Sequence, residues 1–393
     1  MRRHFFNHIA QTSPSPPALE IVSGNGSFLY DSNGKEYIDC ISGIAVSSLG
    51  HQNERIRNAV IQQIEKHSHV MVFGEYIQNP QVELARKLTS LLPEQLSSVY
   101  FTNSGAEAIE GSMKLAKRYM GRTKFVACKN AYHGSTQGAL SLMGNETYKQ
   151  SFRPLLPDVS FIRYNKIEDL NIIDELTAAV FIEPVQSETG YIPGEATYFH
   201  ELHEQCKKTG ALLVFDEAQS GFGRTGRMFG FEHFGLTPDV LVLAKALGGG
   251  YPLGAFIASK ELTSVLSHDP PLGHLTTFGG HPMSCAASLA FIEQLLQPGF
   301  IELITQKEHL FKTLLSESLY SENITGLGLM LGLHLHDQSK CQKVIGIAEQ
   351  NGLLADWFLF APDAIRLAPP LNISEELIKR SCSIINSAIH KAK

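Results

Sequence analysis

The chain of 393 residues has few cysteines and no long hydrophobic run. No apolar stretch approaches the roughly 18 residues that a bilayer crossing needs, so we expect no membrane span and no membrane partner. The six cysteines lie far apart and form no Cys-x-x-Cys pair, which argues against a disulfide framework or a zinc ribbon. This cysteine usage favours a reducing compartment, and we expect the protein in the cytoplasm.

An excess of positive charge is also missing. The chain has 33 Lys and Arg residues against 39 Asp and Glu residues, which gives a formal net charge of −6. Because nucleic acids attract strongly basic surfaces, no nucleic acid is expected as a partner. The length is sufficient for two domains with a sizeable core. Composition therefore indicates a globular protein and does not indicate its chemistry.

Short apolar runs alternate with helical patterns from about residue 60 to 285. This alternation is typical of an α/β fold, in which helices cover both faces of a mostly parallel sheet. We predict seven strands in this region, at residues 99–102, 125–128, 160–163, 179–183, 212–215, 240–244 and 255–258.

Outside this region the pattern predicts a second, smaller α+β domain. Residues 28–39 have the pattern of a hairpin with a turn at Asn33-Gly34, and two more strands are predicted at 327–336 and 365–367. We therefore predict three segments: an N-terminal arm and hairpin at 1–45 that belong to the small domain, a large domain at 46–285, and the remainder of the small domain at 286–393.

One lysine follows an apolar strand directly. Residues 240–244 are apolar enough to be buried on both faces, and Lys245 comes next, shortly before three glycines. A charged lysine is rarely buried unless something pairs or reacts with it. In an apolar site its pKa would fall, and the neutral amine could then act as a nucleophile or a base.

An acid is predicted at another strand end. Residues 211–215 form a second apolar run, and Asp216 follows it. An amine and a carboxylate at two parallel strand ends, followed by glycines, are what a pyridoxal-phosphate site needs. The acid can hold the pyridine nitrogen, which makes the ring an electron sink. We therefore predict pyridoxal 5'-phosphate as the cofactor.

Two nucleotide-binding alternatives involve the same stretch. The run that ends in Asp216 and Glu217 also resembles the acidic strand of a nucleotide hydrolase, but the sequence has no Gly-x-x-x-x-Gly-Lys-Ser/Thr loop. Residues 221–226 match the dinucleotide pattern Gly-x-Gly-x-x-Gly, but the aromatic, glycine-rich stretch after them does not begin a recognisable helix. Both alternatives explain the sequence less well than a pyridoxal-phosphate site.

A small polar loop before a predicted helix is a candidate phosphate site. The strand ends at Thr102, and apolar residues spaced by three and four predict a helix from about Ala106. Free N–H groups at such a helix start, beside Ser104 and Gly105, can cradle an anion. Taken alone, the pattern fits an ordinary capped helix better.

Two other loops carry weaker signals. Tyr132 can lie flat against a cofactor ring, although a lone aromatic in a loop is more often a core anchor. Residues 274–282 are rich in hydroxyls and glycine, so they can supply phosphate donors or form a plain turn. Two histidine pairs, at 200 and 203 and at 334 and 336, have spacings that suit a metal, but no third ligand is near and no metal site is predicted.

Together these motifs resemble the class III (omega) aminotransferases of fold type I, the aspartate-aminotransferase-like fold, with the acetylornithine and ornithine branch most similar. The resemblance implies a seven-stranded large-domain sheet and a pyridoxal-phosphate enzyme. It also implies transfer of a terminal amino group from an amino acid or amine, such as acetylornithine or ornithine, to a keto acid such as 2-oxoglutarate or pyruvate. The matching segments occur in family order at residues 26–39, 42–46, 49–51, 103–108, 183–186, 215–219, 244–248, 277–280 and 365–370.

The family roles carry over to the matching positions. Lys245 would carry the cofactor covalently and, once a substrate displaces it, would act as the base for the proton shift. The remaining cofactor contacts implied by the resemblance are Asp216 on the pyridine nitrogen, Gln219 on the phenolic oxygen, Tyr132 stacked on the ring, and Ser104, Gly105 and Ala106 on the phosphate.

Further implied roles concern the subunit interface and the substrates. Thr277 would reach the phosphate in the neighbouring subunit, which implies a homodimer with shared active sites. Glu188 and Arg366 would form a gate that admits an amine donor when paired. When Glu188 moves away, Arg366 would be free to bind the carboxylate of a keto acid. The alternative for these two residues is an unrelated surface pair.

One substrate position departs from the family pattern. Acetylornithine and ornithine aminotransferases carry an arginine after the Tyr-His-Gly motif, where it binds a substrate carboxylate, and here that residue is Ser135. A serine cannot provide a charged bidentate contact, a loss of about 1.5–3 kcal/mol or more. Either another basic residue substitutes, for which Arg153 is a candidate, or the substrate lacks this carboxylate. Related branches that act on diamines or amino-ketones also lack the arginine.

Two other classes of function remain open. Pyridoxal-phosphate-dependent racemases, aminomutases and decarboxylases share this fold and most of these motifs. A cofactor-free binding or regulatory protein that reuses the fold is a further alternative, which the presence of both Lys245 and Asp216 disfavours.

Overall fold

The computed structural model describes residues 1–72, 74–316 and 324–392. Its helices are α1 (Arg2–His8), α2 (Ser42–Ala45), α3 (Glu54–Lys66), α4 (Asn79–Ser90), α5 (Gly105–Met120), α6 (Gln137–Ser141), α7 (Ala196–Thr209), α8 (Lys260–Ser264), α9 (Pro282–Leu295), α10 (Glu302–Ser316), α11 (Gln338–Gln350) and α12 (Glu375–Lys391). Its strands are β1 (Ile21–Asn25), β2 (Phe28–Asp31), β3 (Glu36–Asp39), β4 (Ser98–Thr102), β5 (Lys124–Cys128), β6 (Val159–Ile162), β7 (Thr177–Ile182), β8 (Val185–Gln186), β9 (Ile192–Pro193), β10 (Leu212–Asp216), β11 (Val240–Leu243), β12 (Gly254–Ala258), β13 (Ile324–Leu327), β14 (Met330–His334), β15 (Leu353–Leu354), β16 (Asp356–Trp357) and β17 (Ala364–Leu367).

The largest sheet contains the seven predicted strands and no others. Its strand order is β4-β12-β11-β10-β7-β5-β6, and β12 runs antiparallel to both of its neighbours while the other pairings are parallel. The predicted α/β fold with a mostly parallel sheet is therefore confirmed. In the register of β10 and β11, Asp216 lies opposite Val242, so both strands end at the same edge of the sheet.

Both faces of this sheet are buried, as continuous apolar strands require. Val214 belongs to one core cluster and Phe215 to the other, because successive side chains point to opposite faces. On the first face α5 buries Ile109 and Met113, and on the second face α7 contributes Phe199. The predicted helix near Ala106 is confirmed and begins at Gly105.

Two smaller sheets join the ends of the chain. The predicted hairpin is confirmed as β2 and β3, and β3 pairs with β15 through Ile38 and Leu353. The strand predicted at 327–336 is confirmed over residues 330–334 as β14, but its predicted extent is wrong. Its residues belong to β13, a tight turn and β14, because Gly328 adopts a positive φ that permits the reversal. The third sheet has the order β13-β14-β17-β16.

The N-terminal segment contains three elements that the sequence did not predict, namely α1, β1 and α2. Helix α1 has no buried residue, so no apolar face marks it in the sequence pattern. None of the helices within the described ranges combines the length and the apolar character that a bilayer crossing requires.

Candidate active site

A cavity of about 540 Å³ lies where β10 and β11 end and α5 begins. This volume is in the range of ligand pockets, which commonly measure about 300–1,000 Å³. Six of the residues predicted to contact the cofactor line it, together with one position predicted to contact the substrate: Ser104, Gly105, Ala106, Tyr132, Ser135, Asp216 and Lys245. The structure thus brings together residues that span more than a hundred positions of the sequence.

Lys245 lies directly beyond the end of β11, where the chain turns sharply. Its φ is 49°, a left-handed conformation that side chains other than glycine seldom adopt and that clusters at functional sites. Burial lowers the pKa of Lys245, while the carboxylates of Asp216 and Glu188 oppose this shift. A larger fraction of neutral amine is therefore available at neutral pH than for an exposed lysine.

Asp216 is held by two contacts at the end of β10. The backbone N–H of Ala218 donates to its Oδ1 at 3.0 Å, and Nδ1 of His133 lies 2.8 Å from its Oδ2. His133 is 3% exposed, and burial alone would lower its pKa, but the carboxylates of Asp216 and Glu183 raise it. The contact with His133 fixes the orientation of the Asp216 carboxylate.

His133 was not among the predicted residues. Its position between Tyr132 and Gly134 could have marked it in the sequence as a candidate site residue. Its contact with Asp216, however, is seen only in the folded chain. Nε2 of His133 is buried and has no hydrogen-bond partner among the described residues.

The start of α5 forms an anion-binding arrangement. Ser104 caps the helix, since its Oγ accepts from the N–H of Glu107 at 3.2 Å. Gly105 and Ala106 lie in the first turn, where backbone N–H groups have no intrahelical partner. A Cβ on Gly105 would lie 3.1 Å from the Cβ of Ala244, so glycine allows the helix start to approach the end of β11 closely.

One wall of the cavity carries two hydroxyls at the position where the sequence resemblance led us to look for a guanidinium. The hydroxyls of Tyr132 and Ser135 are 3.1 Å apart. Arg153 does not line the cavity, and its guanidinium instead donates to both carboxylate oxygens of Glu146, at 2.7 and 2.9 Å. Among the described lining residues, Lys245 and His133 are the basic side chains. The interpretation of Arg153 as a substitute for the arginine is therefore not supported.

Gln219 is buried three residues after Asp216, and its amide is oriented by a residue that was not predicted. The hydroxyl of the fully buried Tyr191 donates to Oε1 of Gln219 at 3.2 Å. This contact uses the carbonyl end of the amide and leaves the amide nitrogen as a donor.

Glu188 and Arg366 form a buried ion pair. Nη2 of Arg366 donates to Oε2 of Glu188 at 2.7 Å, and both side chains are almost fully buried. The pair is therefore not a surface pair. Both groups act electrostatically on Lys245, since Glu188 raises and Arg366 lowers the pKa of that amine. The pair is close enough to influence chemistry at the lysine.

Thr277 lies apart from the cavity that contains Lys245. It is exposed, and it lines a neighbouring depression together with Asn103, Glu107 and Phe278. Within a single chain it does not reach the residues around Lys245.

The residues around this cavity suit pyridoxal 5'-phosphate. Lys245 offers an amine of lowered pKa, Asp216 offers a carboxylate oriented by His133, and the start of α5 offers free N–H groups for a phosphate. The fold and this set of groups define a pyridoxal-phosphate-dependent enzyme of fold type I.

The comparisons with known proteins narrow this class. The family model for aminotransferase class III matches residues 9–389. The chain is 38% identical over 379 residues to an acetylornithine aminotransferase of Archaeoglobus fulgidus, an alignment that covers 96% of this chain and 97% of the relative. It is 39% identical over 377 residues to a succinylornithine transaminase of Salmonella paratyphi A, with 92% of this chain and 90% of the relative covered.

A solved structure gives the same result. The ornithine aminotransferase of Toxoplasma gondii, crystallised with partial occupancy of pyridoxal phosphate at its active site, superposes with a TM-score of 0.92 at 26% identity. The superposition covers 99% of this chain and 93% of that structure. This chain belongs to the class III aminotransferases. It is a pyridoxal-phosphate-dependent enzyme that moves an amino group from an amine donor to a keto-acid acceptor, so the interpretation as a cofactor-free binding protein is wrong.

Proposed function

We propose that the enzyme transfers the terminal amino group of an ornithine derivative or a related amine to 2-oxoglutarate or pyruvate. The buried Glu188–Arg366 pair, both members of which act electrostatically on the pKa of Lys245, is the observation that carries this proposal. In a ping-pong reaction one cavity must accept first an amine and then a keto acid. While Glu188 neutralises the guanidinium of Arg366, the cavity would accept an amine. Once Glu188 moves away, the guanidinium would bind the carboxylate of a keto acid. The names of the two curated relatives support a donor of the ornithine type.

The proposed roles follow from the positions of the residues. Bound pyridoxal phosphate supplies an electron sink for the bond that is broken next to the amino group. Asp216 would hold the pyridine nitrogen, assisted by His133, and the start of α5 would bind the phosphate. Lys245 would carry the cofactor and later move the proton, which its lowered pKa favours near neutral pH.

Tyr132 and Gln219 would hold the two sides of the cofactor. Tyr132 lines the cavity, and we assign it to stacking on the ring. Gln219 has its amide oxygen bound to Tyr191, so its amide nitrogen would donate to the phenolic oxygen.

A second candidate donor is a diamine or an amino-ketone. Ser135 favours it, because the cavity wall there offers hydroxyls and no guanidinium for a donor carboxylate. A carboxylate at this wall would lose a charge-assisted contact of about 1.5–3 kcal/mol.

A panel of amine donors assayed against 2-oxoglutarate and pyruvate tests the proposal. Turnover of acetylornithine, succinylornithine or ornithine would support the first donor class, and turnover of diamines or amino-ketones alone would support the second. A donor incubated alone should also convert the cofactor to its amine form. Failure of every ω-amine with both acceptors, in an enzyme that carries its cofactor, would contradict the proposal and reopen the racemase, aminomutase and decarboxylase alternatives.

We further propose a homodimer with shared active sites. The loop that carries Thr277 exposes apolar side chains, among them Leu272 and Phe278. Ile77, which lines a depression next to this loop, is 91% exposed. Exposed apolar surface of this kind is typical of a subunit interface. Thr277 in this loop would then reach the phosphate bound by the partner subunit.

Two more assignments are proposals of the same kind. We assign residues 1–45 and 286–393 to one small domain, and 46–285 to the large domain, which the pairing of β3 with β15 supports. We assign the enzyme to the cytoplasm, since its six cysteines are all buried free thiols, as a reducing compartment favours.

A further inference from the structure

Arg366 has a second acidic neighbour besides Glu188. Strands β16 and β17 are antiparallel, and their register places Asp356 directly opposite Arg366. Oδ1 of Asp356 lies 3.4 Å from Nε of Arg366. This ion pair has no hydrogen bond, because Asp356 Oδ1 and Arg366 Nε are both buried without a hydrogen-bond partner among the described residues.

Two carboxylates therefore compete for one guanidinium. Glu188 binds Nη2, Asp356 lies beside Nε, and Nη1 of Arg366 has no hydrogen-bond partner in the described part of the chain. If all three groups are charged, this cluster, in which Glu188 and Arg366 are buried and the Asp356 side chain is 30% exposed, has a net charge of −1. An unbalanced charge of this kind is costly in a low-dielectric environment, and protonation of one carboxyl relieves it.

Asp356 contributes a carboxyl group with a raised pKa to this cluster. Burial raises the pKa of Asp356 to about 6, while Arg366 opposes the shift and the carboxylates of Glu188 and Asp39 add to it. Two weak acids, Tyr191 and Cys341, also lie within electrostatic range of Asp356, and both are neutral near pH 7.

The carboxylate of Asp356 changes how the Glu188–Arg366 pair would respond to a keto acid. In the proposed function, Glu188 moves away and exposes Arg366 to the carboxylate of the keto acid. Here Asp356 would remain beside Arg366, on an adjacent strand of the same sheet, and would still neutralise it. An arriving carboxylate would then meet a pair with little net charge, so the attraction that Arg366 offers is reduced.

We propose that Asp356 is a specificity-determining residue that couples capture of the keto-acid carboxylate at Arg366 to the uptake of a proton. The proposal rests on the proposed function, in which Arg366 binds the acceptor. No covalent step is added, because the proton comes from solvent to a carboxylate oxygen of Asp356 and returns when the product leaves.

The sign of the pH dependence follows from the raised pKa of Asp356. Below about pH 6 the carboxyl is protonated and the keto acid binds an uncompensated guanidinium. Above that pH, binding must first take up a proton, so the KM for the keto acid should rise with pH. The rise should be about tenfold if the acceptor shifts the pKa of Asp356 by one unit. An aldehyde acceptor without a carboxylate should not show this rise.

The Asp356→Asn variant tests this coupling. Its KM for 2-oxoglutarate or pyruvate should fall by roughly tenfold at about pH 8 and lose the wild-type rise with pH. The Asp356→Glu variant should restore a rise with pH. The matched control is Asp363→Asn, an acid near the start of β17 that faces His336 instead, and it should keep the wild-type pH profile.

A binding measurement separates charge coupling from a structural role. Calorimetric titration of the holoenzyme with glutarate, in buffers of different ionisation enthalpy, should show proton uptake at about pH 7 in the wild type and none in Asp356→Asn. Equal proton uptake in both proteins, or a higher KM for the keto acid in Asp356→Asn with an unchanged melting temperature, would overturn the inference. A wild type that uses aldehydes but no keto acid at any pH would instead contradict the proposed function.

Discussion

The cofactor side and the substrate side of the cavity are built in different ways. On the cofactor side, Asp216 ends β10, Lys245 lies two residues after the neighbouring parallel strand β11, and the proposed phosphate site is the first turn of α5. On the substrate side, Ser135 lies in a loop, Glu188 follows the two-residue strand β8, and Arg366 lies on a strand of a different sheet. The geometry of the cofactor side depends on neighbouring strand ends at one edge of the large sheet. The geometry of the substrate side depends on contacts between segments that are distant in the sequence.

This difference has a chemical consequence. The cofactor is the same molecule for every donor, so the groups that hold it need a fixed geometry, which the strand ends provide. The substrate-side groups can change charge without disturbing that edge. At the two positions proposed to bind a substrate carboxylate, Ser135 offers a hydroxyl and the carboxylate of Asp356 lies 3.4 Å from Arg366, so both are less cationic than an unpaired arginine.

The largest effect should come from removing the amine on the cofactor side. Replacement of Lys245 by Ala removes both the covalent attachment and the proposed base, so transamination should fall by at least about 10³-fold. The absorbance band of lysine-bound cofactor should disappear as well. Lys260→Ala, at an exposed lysine in α8, serves as the control and should keep both activity and absorbance. Retained activity in Lys245→Ala would contradict the proposed role.

A smaller effect is expected at the acid next to it. Asp216→Asn keeps the shape but removes the charge that would hold the pyridine nitrogen, so kcat should fall by about 10²–10³-fold. His133→Gln acts only through Asp216 and should cost about tenfold, with a shift in the pH profile of kcat. If His133→Gln were as damaging as Asp216→Asn with intact folding, His133 would have a more direct role than positioning Asp216.

The substrate side should respond in the opposite direction. Ser135→Arg adds the missing guanidinium, so kcat/KM for donors with a carboxylate at that wall should rise by about 10- to 100-fold. Donors without this carboxylate should gain nothing. Ser135→Gln, which adds length without charge, is the matched control. An equal gain in both variants would show that charge at this wall does not determine donor choice.

The smallest effect on chemistry concerns the proposed interface. Phe278→Asp places a charge in the exposed apolar loop and should shift the protein toward the monomer in analytical ultracentrifugation. Thr277→Ala should leave the dimer intact and weaken cofactor retention by only a few-fold, since it removes one neutral hydrogen bond. A wild type that is monomeric at micromolar concentration while fully active would refute shared active sites.

The sequence predicted the fold and the strand-end residues well because these depend on local patterns. Each of the seven large-sheet strands is a short apolar run, and the residue after a buried strand must lie at the sheet edge, which locates Asp216 and Lys245. The hairpin at Gly328 was missed because one glycine reverses an otherwise continuous strand pattern. His133 and Asp356 were missed for a different reason, since their partners lie in other segments and only tertiary pairing brings them together.

The proposed chemistry on both the cofactor side and the substrate side of the cavity depends on Lys245. Peptide mapping tests the role of this lysine most directly. The holoenzyme would be treated with borohydride, which fixes the cofactor to the lysine that carries it, then digested and analysed by mass spectrometry. We expect the cofactor mass on the peptide that contains Lys245, and at no other lysine. Attachment at a different lysine, or no attachment in a protein that binds the cofactor, would contradict the proposed role of this lysine.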